Sequence, residues 1–587
     1  MLKEYRTILP LAAKYRWWYA GGLLCLLLTD AGQLVIPLII RSVVDSLSAG
    51  RGSLQEISRE ILVMLLIAVA IALGRVGWRL FIHGASRRIE YRLRDRIFRH
   101  VMTLSSKFYG DYRIGDLMAR FTNDMQAIRM AVGMAVVAFV DGIFITLAVL
   151  VILFSRYPRI AWMVILPLPV VTFLVIGAGK LLGDRFKKVQ EGFSSLSEWV
   201  QESLSGIRVI KSFARESWSG DRFRKLNQEY RRRNMNLIKI WGLLFPMVTF
   251  LSGLSTLLLL YIGGMGVMKG SLTVGDFTAM LSYLQMLIWP MLGAGFTVNF
   301  LQRGAASLGR INGILREEPE IKNIEEPLKR KPKGGLRGEN ITFTYPGANR
   351  PALKDVSFNL EAGAVFGIIG KVGSGKSTFI RLLPRLLELQ EGKLEIDGRD
   401  IRQYDLKTLR SVFGIVPQRS FLFSVSIRDN LAYGRRHAQD DELKRYADRS
   451  TISRDFSRFP EGWNTQVGEK GVSLSGGQKQ RLAISRALAV QPDIFIFDDA
   501  LSAVDAETEE QIIRSFLESR KGRTMIIVSN RVSTLREADH IIVLDDGHIV
   551  QQGTHLELIA REGFYRDIYR LQGSTPKGNG GGSREGK

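Results

Sequence analysis

Residues 370–377 read Gly-Lys-Val-Gly-Ser-Gly-Lys-Ser, which fits the pattern G-x-x-x-x-G-K-[ST]. The run VFGII (365–369) precedes it as a buried strand, and STFIRLLPRLL (377–387) follows as a helix. That context is what a phosphate-binding loop requires. Gly370, Gly373 and Gly375 let backbone N–H groups close around phosphate oxygens, with Ser374 between them. The helix that begins at Lys376–Thr378 adds the positive end of its dipole. Lys376 is expected to reach the β- and γ-phosphates of a nucleoside triphosphate, and Ser377 to ligate Mg²⁺.

Outward from this loop, IFIFDD (494–499) reads as a buried strand ending in two carboxylates. Such a strand supplies the acid that holds the Mg²⁺ shell in phosphate-loop ATPases. Asp498 takes that role, and Asp499 is placed beside the γ-phosphate, where it orients attacking water. Between the two motifs lies Leu474-Ser475-Gly476-Gly477-Gln478, followed by the strongly helical KQRLAISRAL. Strand-like runs alternate with helical stretches throughout 339–572, an α/β pattern.

The first half is of another kind. Six runs are long and apolar enough to cross a bilayer, which takes about 20 residues each. They are 17–40, 61–81, 131–154, 160–179, 241–264 and 272–296. The single cysteine, Cys25, lies in the first and excludes an intrachain disulfide. The chain carries a net charge of +24, which alone suggests nucleic acid or an anionic membrane as partner. Its distribution decides. Residues 83–130 hold ten Lys/Arg against five acids, and 180–240 hold fourteen against seven, so the excess sits in the two long connections between spans. Positive residues stay on the cytoplasmic side. The N-terminus, both long connections and the C-terminal half are therefore expected in the cytoplasm, beside an anionic leaflet. Six spans exclude a soluble nucleic-acid ATPase. Asp30 and Asp141 lie inside spans one and three, with Gln33 and Gln285 adding polarity. They are read either as an acidic cavity for cationic amphiphiles or as interhelical hydrogen bonding. Arg75 and Arg79 are placed near the cytoplasmic end of the second helix, where they snorkel. Trp17, Trp18, Trp241 and Trp289 are read as interface anchors or packing residues.

The expected organisation is an amphipathic elbow (1–16), a transmembrane domain (17–314), a charged linker (315–338), an ATPase domain (339–572) and a flexible tail (573–587).

The phosphate loop with LSGGQ resembles the ATP-binding-cassette (ABC) proteins, and the resemblance covers residues 1 to about 572. Several elements match the family's motifs. Tyr345 in ITFTYPG sits where an aromatic stacks on adenine. Gln418 in IVPQ matches the glutamine that senses Mg²⁺, and Asp505 in SAVD the loop that communicates across the dimer. TQVGEKG (465–471) is similar to an exporter-specific segment. GDLMARFTND (115–124), GIRVIKSFARE (206–216) and GSLTVGDFTAML (270–281) are similar to parts of the membrane half of type IV exporters. In that family the signature of one domain caps the ATP held by the other. The resemblance thus implies a half-transporter that works as a dimer with ATP and Mg²⁺, moving drugs, lipids or peptides outward.

Two positions depart from the family pattern. A Glu is usual where Asp499 stands, and a His where Asn530 stands in VSNR. This resembles the degenerate-site subunit of heterodimeric bacterial multidrug exporters, whose partner supplies the Glu and the His. The alternatives are a slow homodimer, a lipid flippase, an importer on the same scaffold, or a regulatory ATP-binding subunit.

Overall fold

The computed structural model describes residues 2–50, 53–435, 437–468, 474–519 and 522–573. Two compact units emerge. One holds residues up to Thr103 together with Tyr112–Glu317; the other holds Leu104–Asp111 and Glu318 onward.

The first unit is built from six helical rods: Arg16–Ser48, Leu54–Val101, Ile114–Arg156, Pro158–Ser205, Glu216–Met268 and Val274–Arg316. Each contains an apolar window sufficient to cross a membrane. The rods run well beyond the apolar runs. What reads in the sequence as long basic connections is largely helix, because the apolar run passes into a polar stretch without a breaker. The fourth and fifth rods pair along this polar part. Trp199 Nε1 donates to the Ser219 carbonyl at 3.2 Å, and Arg233 Nη1 to the Lys188 carbonyl at 2.9 Å. The connection between them holds a short helix, Ile207–Ser212, with no buried residue.

The motif at 115–124 ends in an anchor. Asp124 is buried, accepts from Ser307 Oγ at 2.9 Å and from Arg310 Nε at 3.0 Å, and so ties the third rod to the sixth. The motif at 270–281 is a helix start. Thr273 and Asp276 form a reciprocal capping box, which satisfies two orphan N–H groups. Gly275 is demanded there, since a Cβ would lie 2.3 Å from the Arg41 carbonyl. Asp45 accepts from the Gly275 N–H at 2.8 Å, and Arg41 pairs with Asp276 at 2.6 Å. The N-terminal elbow is a 3₁₀ turn (Leu2–Thr7) and a short helix (Leu9–Lys14). It packs on the sixth rod, with the Tyr5 hydroxyl donating to the Leu301 carbonyl at 2.9 Å.

The second unit carries two sheets. The strands are β1 (Leu336–Phe343), β2 (Leu353–Leu360), β3 (Val365–Gly370), β4 (Glu391–Ile396), β5 (Arg399–Asp400), β6 (Phe413–Val416), β7 (Ile494–Asp498), β8 (Thr524–Val528), β9 (His540–Asp545) and β10 (His548–Gly553). One sheet has the order β2-β1-β4-β5 and is antiparallel. The other has the order β10-β9-β3-β8-β7-β6 and is parallel apart from β10. Side chains alternate across a strand, so the parallel sheet buries both faces. Ile494, Ile496, Ile526, Val528, Ile542 and Leu544 join the core shared with the antiparallel sheet. Phe495, Phe497, Met525, Ile527, Ile541 and Val543 join the core packed on the helices, including Gly476–Ala489. The parallel strands end at one edge, where open α/β sheets bind their ligands.

Candidate ATP site

β3 is buried along its whole length and delivers the chain into the loop 371–375. Gly373 and Gly375 have φ of 85° and 98°, which L side chains rarely adopt. A Cβ on Gly375 would also lie 2.4 Å from the Ala352 carbonyl. The loop is therefore a preformed cradle, with a Lys at the helix start. Lys376 Nζ donates to the Gly370 carbonyl at 2.6 Å and to the Lys371 carbonyl at 2.7 Å, which centres the ammonium in the loop. Burial lowers the Lys376 ammonium below the usual lysine range, and Asp499 and Asp498 oppose that shift. Ser374 is buried and its Oγ has no partner.

β7 brings in the carboxylates. Ser377 Oγ donates to Asp498 at 3.2 Å. A hydroxyl and a carboxylate this close form the oxygen-only donor set that suits Mg²⁺. Asp499 follows in the left-handed region at φ 48°, and its carboxylate accepts from Gln418 Nε2 at 3.1 Å. The loop after it is held by Ser502 Oγ, which donates to the Asp499 carbonyl at 2.9 Å. Asn530 lies in the turn after β8, with its side chain exposed. Tyr345 reaches the same helix start: its hydroxyl is 3.2 Å from Thr378 Oγ1, and its ring packs edge-on against Phe343. Thus Tyr345, Gly370–Thr378, Gln418, Asp498 and Asp499 converge.

The signature LSGGQ stands apart as a helix start. Ser475 and Gln478 form a capping box, the Ser475 N–H donating to Gln478 Oε1 at 2.9 Å. Gly477 allows a close approach, since a Cβ there would lie a tight 3.0 Å from the Ala503 carbonyl. Gln480, absent from the sequence reading, links this helix to the SAVD loop by accepting from the Ala503 N–H at 3.0 Å. Only its helical spacing after LSGGQ hinted at an inward position. Asp505 caps the next helix, accepting from the Thr508 N–H at 2.9 Å, and this bond holds its carboxyl below the usual range. Residues 469–471 of the TQVGEKG segment and the tail from 574 lie outside the described residues.

In the membrane unit Asp30 and Asp141 do meet, in a cavity of about 940 Å³. It is lined also by Gln33, Arg75, Trp78, Arg79, Gln285 and Trp289. Arg75, on the second rod, donates to Gln33 Oε1 of the first at 3.4 Å. Two carboxyls and two guanidinium groups thus line the cavity together. Trp289 faces the cavity rather than only anchoring an interface.

A six-rod membrane bundle joined to a phosphate-loop ATPase domain with a separate LSGGQ helix start defines a membrane transport ATPase. The chain belongs to the ABC transporter family. Residues 19–291 match the family model "ABC transporter transmembrane region", and residues 353–502 match "ABC transporter". The Escherichia coli "Multidrug resistance-like ATP-binding protein MdlA" is 39% identical, with 94% of each chain covered. The Bacillus subtilis "Probable multidrug resistance ABC transporter ATP-binding/permease protein YheI" is 36% identical over 94% of this chain and 95% of its own. An "ATP-dependent lipid A-core flippase" of Syntrophus aciditrophicus is 31% identical over 97% and 94%. A solved "bacterial Atm1-family ABC exporter with ATP bound" superposes with a TM-score of 0.79 at 27% identity, covering 97% of this chain and all of that one. The chain is an ABC exporter half-transporter with an ATPase domain, and such exporters work as dimers within the membrane.

Burial holds the Asp498 carboxyl above its ordinary range, against the lowering effects of Ser377, Arg381 and Lys376. A carboxyl raised on folding contributes stability below its unfolded pKa and loses it as pH rises through the folded value. The ionised form of Asp498 is thus a burden on the nucleotide-free domain that grows as pH rises. Asp498→Asn is expected to leave the nucleotide-free melting temperature unchanged or raised. It should also abolish the further rise that Mg²⁺–ATP produces. Thermal unfolding with and without Mg²⁺–ATP measures both.

Proposed function

We propose that this chain is one subunit of a heterodimeric exporter, with a slow ATP site of its own and an intact signature that completes its partner's competent site. The observation that carries this is the pair Asp499 and Asn530 within an otherwise complete binding site. An Asp is one methylene shorter than a Glu, so its carboxylate stops short by about a C–C bond, and a misplacement of about 1 Å costs about a hundredfold in rate. Here that carboxylate is also engaged by Gln418. Asn530 offers a neutral amide where a histidine can carry charge.

ATP binding falls to Tyr345 for the base, and to Gly370, Gly373–Gly375, Lys376 and Thr378 for the phosphates. Ser377, Asp498 and Gln418 would hold Mg²⁺, which neutralises phosphate charge when bound. Leu474–Gln478 act on the partner's ATP, and Asp505 lies on the loop that communicates across the dimer. The proposed setting is the inner membrane, with the N-terminus and ATPase domain cytoplasmic.

The transported molecule is proposed to enter the cavity at Asp30 and Asp141. Apolar walls with both charge signs suit an amphiphile with a cationic or zwitterionic head, taken from the cytoplasmic side or inner leaflet. The similarity to a lipid flippase favours a second reading, in which the amphiphile is a membrane lipid. ATP-dependent accumulation of a fluorescent cationic amphiphile in inside-out vesicles supports the first reading. Translocation of a labelled lipid without amphiphile uptake assigns the second.

A further inference from the structure

The C-terminal helix Phe564–Gly573 touches the ATP site at both of its ends. Phe564, Ile568 and Gln572 fall at i, i+4 and i+8, one face of the helix. Phe564 and Ile568 pack on the core, and the neighbouring Tyr565 is fully buried with its hydroxyl 2.7 Å from His555 Nδ1. That docking fixes where Gln572 must point.

Its amide meets the turn around Asn530 twice. Gln572 Nε2 donates to the Asn530 carbonyl at 2.8 Å, and Gln572 Oε1 accepts from the Val532 N–H at 2.9 Å. The two bonds bracket Asn530–Val532 as a neighbouring strand would. The inner side of the turn has other holds: the Ser529 N–H donates to the Ile368 carbonyl at 3.1 Å, and Arg531 pairs with the buried Glu509. Behind the turn lies a void of about 20 Å³ bordered by Asp499, Ser529, Arg531 and Glu509, space for about one water. Core packing of Val532 anchors one side of the turn, and the bracket adds a hold on the exposed Asn530 side, next to the void. At the other end of the helix the Phe564 ring lies 6.0 Å from Lys371 Nζ. The Lys371 carbonyl is one of the two that hold the Lys376 ammonium.

We propose that Gln572 is a positioning residue of the ATP site: its paired hydrogen bonds hold the backbone of Asn530 in place, so the C-terminal helix sets the turn against the phosphate loop. Gln572 touches no phosphate and acts through Asn530.

The test uses the full chain in its dimer, with Gln572→Ala and the near-isosteric Gln572→Glu. Glu keeps the acceptor for Val532 but sets a carboxylate against the Asn530 carbonyl. Hydrogen–deuterium exchange at the Val532 amide is expected to rise about tenfold in Gln572→Ala, with 564–571 as protected as before. Single-turnover hydrolysis of ATP at this chain's site is expected to slow about fivefold in both variants, while affinity for a fluorescent ATP analogue stays within about twofold. Wild-type hydrolysis by Gln572→Glu would overturn the proposal. So would unchanged exchange at Val532, or a joint loss of protection across helix and turn, which marks a merely structural role.

Discussion

Changing Asp499 to Glu and Asn530 to His together is expected to raise ATP turnover by the assembly formed from this chain alone about a hundredfold. The reason is geometric. The site around these two positions is complete: the loop glycines hold their left-handed turns, Lys376 is centred, and Ser377 faces Asp498. The signature helix, Gly476–Ala489, is capped by Ser475. On the proposed reading, what is short is the reach of one carboxylate, which Gln418 engages at 3.1 Å, and the charge at one turn. Restoring a longer carboxylate and a protonatable ring supplies the missing positioning without altering the binding elements. ATP affinity is therefore expected to stay within about threefold while kcat rises. Steady-state phosphate release across an ATP titration separates the two quantities. A rise in affinity with unchanged kcat would show that these positions serve binding instead.

The second large effect is loss of the nucleotide. Lys376→Ala is expected to weaken ATP binding by about a hundredfold, since truncating one partner of a hydrogen-bonded charge pair costs about 2–5 kcal/mol. The fold should tolerate the change. In the nucleotide-free protein the ammonium bonds the carbonyl of the exposed Lys371, which water can satisfy in its place, and that of Gly370 at the buried end of β3, so at most one acceptor is left short of a partner. A melting temperature close to wild type, together with lost retention of a fluorescent ATP analogue, is the expected pair of results. A large fall in melting temperature would instead make Lys376 chiefly a structural residue.

The parts of the molecule legible in the sequence are those with short-range patterns. Gly370–Ser377 between a strand and a helix, IFIFDD, and LSGGQ before KQRLAISRAL each encode backbone geometry within ten residues, and each stands in the fold as its pattern implies. The six apolar runs are equally local. Readings that depended on where a helix stops were less secure. Nothing in a polar amphipathic stretch distinguishes a loop from the next turns of the same rod. The second rod therefore carries on to Val101, far beyond its apolar run, and Arg75 lines the cavity. Contacts across long sequence separations left no trace at all. Gln572 bonds Asn530 across 42 residues, and Ser307 bonds Asp124 across 183. The antiparallel sheet escaped for the same reason: β1 pairs with β4 over two intervening strands and the phosphate-loop helix. In the cavity, which charges come together depends on how the faces of three rods meet, which periodicity within any one rod does not specify.

The central claim is that this chain binds ATP well and hydrolyses it slowly unless a partner contributes. Steady-state ATPase of the purified full-length chain, without any partner, at saturating Mg²⁺–ATP, tests it most directly. Turnover at least about tenfold below a typical enzymatic rate of about 10 s⁻¹, with ATP retained on the protein, is the expected result. Robust turnover near that typical rate by the chain alone would contradict the heterodimer and the slow site together.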